Sequence, residues 1–235
     1  MQKAKNAEAI KPQQLVTITF PETGKIRARK VVTRSRARAT GKFPSRKMNR
    51  MMQWESINEL NAFRLLEVNP EVKYFQEQPC EIHYMMDGER CVHYPDILVK
   101  TQHYKEFWEI KPAFEAKQPA TAARTKLLSA ALPDLGYQYR VVLGEDLARK
   151  ARLYNMKSLL AYGRADVPCL LREKVRRIFT QRHEMTVEQL LAATDGEISR
   201  KHVYRLIVEG DLWCDIERQL SLSSVLKHIA NREKK

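Results

Sequence analysis

Tyr94-Pro95-Asp96, followed by Glu109-Ile110-Lys111, constrains the fold more than any other feature of the chain. Side chains alternate faces along a strand, so Glu109 and Lys111 point the same way while Ile110 points into a core. If the segments around Asp96 and Glu109 pair antiparallel, two carboxylates and one ammonium converge on a small patch. Two acids so close repel unless one takes up a proton or a divalent cation sits between them. A lysine beside such a cation completes what phosphodiester hydrolysis needs: a polarised phosphate and an oriented water. Taken alone, the pattern also fits an ordinary surface hairpin with a cross-strand Glu–Lys pair.

The flanking sequence narrows the choice. Apolar residues at Trp54, Ile57, Leu60, Phe63 and Leu66 predict a helix over residues 54–66 with one buried stripe. Glu55 and Glu59 lie one turn apart on a shared face of it. Glu59 is either a solvated helix acid or a third carboxylate delivered to the Asp96 and Glu109 site. The helix ends near Asn69-Pro70, residues 72–79 lead into a strand over 80–86, and Asp87-Gly88 signals a tight hairpin. The chain then returns through residues 90–94 to Asp96. A helix through residues 122–128 and a strand over 137–143 follow. This order predicts an α/β fold of the restriction-endonuclease-like type.

Five motifs in sequence carry a family resemblance: Gly41 to Arg50, Trp54-Glu55-Ser56 with Glu59, Gln78-Pro79, Tyr94-Pro95-Asp96, and Glu109-Ile110-Lys111-Pro112. Over about residues 40–145 the chain resembles TnsA, the endonuclease subunit of bacterial heteromeric transposases. The resemblance implies a PD-(D/E)xK core with Glu59, Asp96, Glu109 and Lys111 as catalytic residues. It also implies Asp96, Glu109 and Glu59 as ligands of Mg2+, with Mn2+ able to substitute, and Glu55 and Gln78 as support. The implied partners are double-stranded DNA at transposon ends, the transposase TnsB and the ATP-dependent regulator TnsC. The implied reaction is hydrolysis at the 5′ ends of the element while TnsB cuts and joins the 3′ ends.

Net charge is +14, but its placement is the useful part. Residues 1–50 hold 14 Lys and Arg against 2 Asp and Glu, so a basic arm precedes a nearly neutral middle. Arg27, Arg29, Lys30, Arg34, Arg36 and Arg38, with Lys42, Arg46 and Lys47, suit phosphate contacts that release counterions whatever the base sequence. A solvated basic tail is the competing reading; beside a nuclease site, DNA contact is preferred. Val16 to Phe20 alternates like a short strand, and Gly24 suits a turn after it.

Cys80, Cys91, Cys169 and Cys214 show neither a CxxC pair nor zinc-finger spacing, so free thiols in a reducing cytosol are expected. His83, His93 and His103 read as ordinary histidines rather than as a general base. Neither a leader-like apolar stretch nor a run of ~20 apolar residues is evident, and a DNA-associated bacterial cytoplasmic protein without membrane contact is expected.

The C-terminal part predicts a winged-helix-like domain. A helix over Asp146 to Ala161, or most of it, precedes Gly163 and Pro168, and another covers residues 170–180. Thr186 and Ser199 read as N-caps of two further helices, and residues 212–216 as a wing strand. Arg200, Lys201, His202 and Arg205 open the third helix and suit DNA, yet such domains also dock proteins, and partner contact is preferred here. The expected domains are therefore an arm over 1–40, a nuclease domain over 41–166 and the winged-helix-like domain over 167–235. A free-standing restriction or repair nuclease, and a non-catalytic DNA-binding accessory protein, are the competing functions.

Overall fold

The alternating strands of the middle region form the central sheet in a computed structural model that describes residues 16–29 and 39–229. Lys30, Arg34, Arg36 and Arg38 lie outside the described residues. A short strand β1 (Thr17–Thr19) comes first, then a hairpin of β2 (Gly41–Ser45) and β3 (Arg50–Trp54) and helix α1 (Ile57–Val68). Strands β4 (Tyr74–Glu77), β5 (Glu81–Met86), β6 (Glu89–His93), β7 (Ile97–Lys100) and β8 (Lys105–Lys111) follow. Helices α2 (Ala113–Ala116) and α3 (Pro119–Ala131) precede β9 (Gln138–Leu143), α4 (Gly144–Leu147) and α5 (Lys150–Tyr162). The chain continues through α6 (Cys169–Gln181), β10 (Glu184–Thr186), α7 (Val187–Ala193), α8 (Arg200–Glu209), β11 (Leu212–Cys214) and β12 (Val225–His228).

These elements pack as two units that interleave along the chain. The first joins the described residues 16–29 to Phe75–Leu143, and the second joins residues 39–74 to 144–229. The divisions expected at residues 40 and 166 are not the ones that packing makes. Helix α1, expected within the nuclease domain, belongs to the same unit as the C-terminal helices.

In the first unit β4, β7, β8 and β9 form one sheet in that order, and β1, β5 and β6 form another. Strands β7 and β8 are antiparallel with Ile97 opposite Trp108, whereas β8 and β9 run parallel with Glu109 opposite Val141. A parallel pair needs a crossover, and α3 supplies it. Phe75, Ile97, Val99, Phe107 and Leu128 are buried in this unit. The β5–β6 turn is at Asp87-Gly88, both with positive φ (52° and 82°), the geometry that a two-residue hairpin of matching twist demands.

In the second unit the expected helix over residues 54–66 begins later. Trp54 ends β3, and Ser56 caps α1 by accepting the Glu59 N–H at 3.1 Å. The apolar stripe is accordingly shorter than its spacing implied: Phe63 and Leu66 are buried, but Ile57 is exposed. A capping Ser with an acid three residues on sets the start of a helix more strongly than an aromatic at helical spacing. Helix α1 ends at Asn69, whose extended conformation is what a following proline favours. The buried Glu67 carboxylate ties the β2–β3 turn to this helix, accepting from the Ser45 hydroxyl at 2.6 Å and from the Arg46 and Lys47 N–H groups at 2.9 and 3.0 Å.

Of the helix expected over Asp146 to Ala161, α5 forms the larger part, and the short α4 precedes it. Beyond it, helices α6, α7 and α8 pack with an antiparallel sheet of order β10-β12-β11. Val175, Phe179, Leu190, Val203 and Leu206 form its core together with Met156 and Leu159 of α5. Thr186 and Ser199 cap α7 and α8, each in a reciprocal capping box.

Candidate active site

Register brings the first acid to the second. Continuing the β7–β8 ladder one residue past the Ile97–Trp108 pair sets Asp96 opposite Glu109. The Asp96 Oδ2 accepts the Ile110 N–H at 2.7 Å, which fixes the carboxylate against the β8 backbone. Behind it, the Gln78 N–H donates to the Asp96 carbonyl at 2.8 Å, and the Gln78 carbonyl accepts the Ala28 N–H at 3.0 Å. Gln78 holds a positive φ of 43°, a conformation that a non-glycine residue adopts only when its surroundings impose it. Its backbone thus supports Asp96, and its buried side-chain Oε1 makes no hydrogen bond.

Glu109 is the hub. It is 3 % exposed, and its Oε1 lies 3.2 Å from the Lys111 ammonium and 3.3 Å from the Arg124 guanidinium on α3. Lys111 shares the face of Glu109, as the two-residue strand period requires, and lies 3.9 Å from Glu115 on α2. The second Glu109 oxygen, Oε2, is 3.2 Å from His93 Nε2, but their alignment leaves Oε2 without a hydrogen bond. His93 Nε2 lies 3.0 Å from the Tyr139 hydroxyl of β9. Burial pushes the Glu109 carboxyl up; His93, Lys111 and Arg124 pull it down more strongly and hold it below the usual carboxylate range. Burial likewise raises the Tyr139 phenol, with the Glu109 charge adding to it.

Asp96, Glu109 and Lys111 therefore come together where β7 begins and β8 ends. His93, Arg124 and Tyr139 join them without a sequence signal: His93 read as an ordinary histidine, and Arg124 and Tyr139 went unmarked on a helix and a strand.

Glu59 and Glu55 belong to the second unit. There the Glu59 Oε1 accepts the Ser56 hydroxyl at 3.0 Å and its Oε2 accepts the Glu55 N–H at 2.8 Å, so the Ser-x-x-Glu step builds the start of α1. Of the expected phosphate contacts, Arg27 pairs at 3.1 Å with the buried Glu77, and the Arg29 guanidinium lies 5.9 Å from the centre of the Tyr94 ring. Lys42 and Arg46 are exposed on the β2–β3 hairpin, whereas the Lys47 ammonium donates to the Leu66 and Asn69 carbonyls at 2.8 and 2.6 Å.

Among the described residues, no three His, Cys, Asp or Glu side chains cluster closely enough to form a metal cage. All four cysteines are free, and among the described residues no helix is long and apolar enough to cross a membrane.

Residues 69–144 match the family model described as TnsA-like endonuclease N terminal. The matched stretch holds Gln78, Asp96, Glu109 and Lys111 and begins after Glu55 and Glu59. No curated protein matches the chain.

Proposed function

We propose, from the match of residues 69–144 to the TnsA-like endonuclease family model, that the chain is a metal-dependent DNA endonuclease subunit of a transposase. The observation that carries the reading is the Glu109 hub: an acid held ionised by Lys111 and Arg124, opposite Asp96, with one buried oxygen making no hydrogen bond. With His93 Nε2 at 3.2 Å as its near neighbour, Glu109 Oε2 keeps lone-pair capacity that a cation can use.

Mg2+ suits a pair rather than a cage, because it keeps several waters and takes one or two carboxylates. Asp96 and Glu109 fit it on those terms, with Mn2+ as a substitute. When bound, the ion supplies Lewis-acid polarisation of the scissile phosphate and a more acidic water. Lys111 stands where an ammonium orients that water or steadies charge on the phosphate. Asp96 keeps its aim through the Ile110 N–H, and Arg124 and His93 keep Glu109 in place. Glu59 is proposed as a further ligand; each of its oxygens accepts one hydrogen bond, from Ser56 or Glu55, and keeps a lone pair for a cation.

The finer reading extends to partners. The arrangement of α6, α7 and α8 with the β10-β12-β11 sheet supports a winged-helix reading, and we assign that domain to partner contact. Its third helix spends Arg200 on Tyr204 and Arg205 on Glu209, at 2.9 Å for the first pair. The substrate is double-stranded DNA at transposon ends, cut at the 5′ strands, with a TnsB-type transposase and a TnsC-type ATPase completing the assembly.

The test is strand cleavage of a transposon-end duplex in Mg2+. Lys111→Ala is expected to lower the rate by on the order of 10²-fold or more while leaving duplex binding in place. Cleavage by Lys111→Ala at the wild-type rate would remove this site from the reaction.

A further inference from the structure

The second unit contains a cleft of about 890 Å3 walled by the β2–β3 hairpin, α1, α5 and α8. Eight of its lining side chains are cationic and two are carboxylates, Glu67 and Glu209. Both carboxylates are already engaged. Glu67 accepts from Ser45 and from the Arg46 and Lys47 backbone, and Glu209 is paired with Arg172 and Arg205. Neither is left to neutralise Lys42, Arg46, Arg64, Lys157 or Arg164, and among the described residues none of these five forms an ion pair.

This differs from the surface of the same unit. Arg149, Arg152, Arg172, Lys174, Arg176 and Arg177 each sit against a carboxylate. Five cations thus stand along this cleft without a carboxylate partner, whereas these six are each balanced by one. A concave basic surface with low-dielectric walls focuses potential onto an anion. Burial holds the Arg64 guanidinium below its ordinary value, and no carboxylate offsets it. Beneath the cations the lining is apolar, with Trp54, Leu60, Val72 and Leu160 among its residues. Inorganic anions have no use for such a floor, whereas the sugars of a nucleic-acid backbone can lie against it.

We propose that this cleft is a second DNA-binding site, seating backbone phosphates on Lys42, Arg46, Arg64, Lys157 and Arg164. That the polyanion is DNA rests on the nuclease reading of the first unit. Four of the five, Lys42, Arg46, Lys157 and Arg164, are exposed, and Lys42, Lys157 and Arg164 can be changed with little risk to the fold.

The experiment compares the full-length wild type with Lys42→Gln/Lys157→Gln/Arg164→Gln, binding a fluorescent DNA duplex in EDTA over a salt series. Each lost phosphate contact flattens the log–log salt slope by about 0.9, so the triple variant should lose about 2–3 units of slope. It should also bind at least about tenfold more weakly at low salt. Unchanged thermal melting secures the comparison, and Lys157→Glu alone, on an exposed helix face, should still reduce affinity if the triple variant is unstable.

An unchanged slope in both variants would overturn the site. So would a variant that keeps its DNA slope but loses binding of a poly-glutamate peptide, which would make the cleft an acidic-peptide groove. Because EDTA silences cleavage, a flattened slope stands even if the Lys111→Ala test fails, and the two readings are separately refutable.

Discussion

The Asp96 carboxylate accepts the backbone N–H of Ile110 at 2.7 Å, one residue past the Glu109 that faces it across the ladder. One acid is thereby positioned by the strand that carries the other. Strand β8 supplies Glu109 and Lys111 by side chain and Asp96's anchor by backbone, so three groups depend on one element.

This relationship separates charge from fold. Asp96→Asn keeps an oxygen for the Ile110 N–H but loses the charge, whereas Asp96→Ala loses both. Both are expected to lower cleavage in Mg2+ by at least on the order of 10²-fold. Only Asp96→Ala should also lower stability, by about 1–3 kcal/mol, because it leaves a donor unsatisfied. Urea melts of the two variants, read beside their cleavage rates, check this. Equal stability loss in both would mean that the hydrogen bond contributes nothing.

Arg124 and Tyr139 are expected to differ in kind. Arg124→Gln removes one of the two cations at Glu109 Oε1 and should slow cleavage by about tenfold or more, with Arg124→Lys recovering part of the rate. Tyr139→Phe removes only the hydroxyl, which meets His93 and Arg124, and keeps the Arg124 charge at Glu109. Its cost should fall mainly on stability, at about 0.5–1.5 kcal/mol, with a smaller effect on rate. Single-turnover cleavage together with thermal melting distinguishes the two. A larger rate loss in Tyr139→Phe than in Arg124→Gln would reverse the assignment.

The parts of this site that were legible in sequence are those set by local rules. Strand period puts Glu109 and Lys111 on one face, and the Asp87-Gly88 turn fixes the register of β5 and β6. His93, Arg124 and Tyr139 reach Glu109 from β6, α3 and β9, and no spacing rule links elements so far apart in the chain. The start of α1 was legible but was read past: Ser56 and Glu59 carry the capping signal, and Trp54 lies before it. The interleaving of the two units was not legible, because it depends on how the buried side of α1 meets α5 and α8 rather than on any composition change at residues 40 or 166.

Gly41 offers a test of the hairpin that walls the cleft. A Cβ built there would fall on the indole ring of Trp54 across the β2–β3 pair. The ring is rigid, so Gly41→Ala is expected to displace it at a cost of about 1–3 kcal/mol. Tryptophan fluorescence should shift as Trp54 moves, and a Trp54→Leu background should remove most of the penalty. An unperturbed melt of Gly41→Ala would mean that the hairpin has room that the structure denies it.

The four thiols give the pH prediction. Burial pushes the Cys80 and Cys214 thiols up to about 12 from an ordinary value near 9, with Glu81 and Asp215 adding in the same direction. In the folded chain both stay protonated at pH 8 and should resist iodoacetamide, while the exposed Cys169 reacts first. The sign of the linkage follows from proton counts. Between about pH 9 and 12 the unfolded chain loses these protons while the folded chain keeps them, so the folded state binds more protons and stability falls as pH rises. Below pH 9 neither group should tilt stability. Mass-spectrometric labelling at pH 8, followed by denaturant melts from pH 8 to 11, reads both effects, and Cys80→Ala/Cys214→Ala should flatten the decline above pH 9. Labelling of Cys80 or Cys214 in the folded protein as fast as Cys169 would show that these thiols are open to solvent, and the predicted decline would lose its cause.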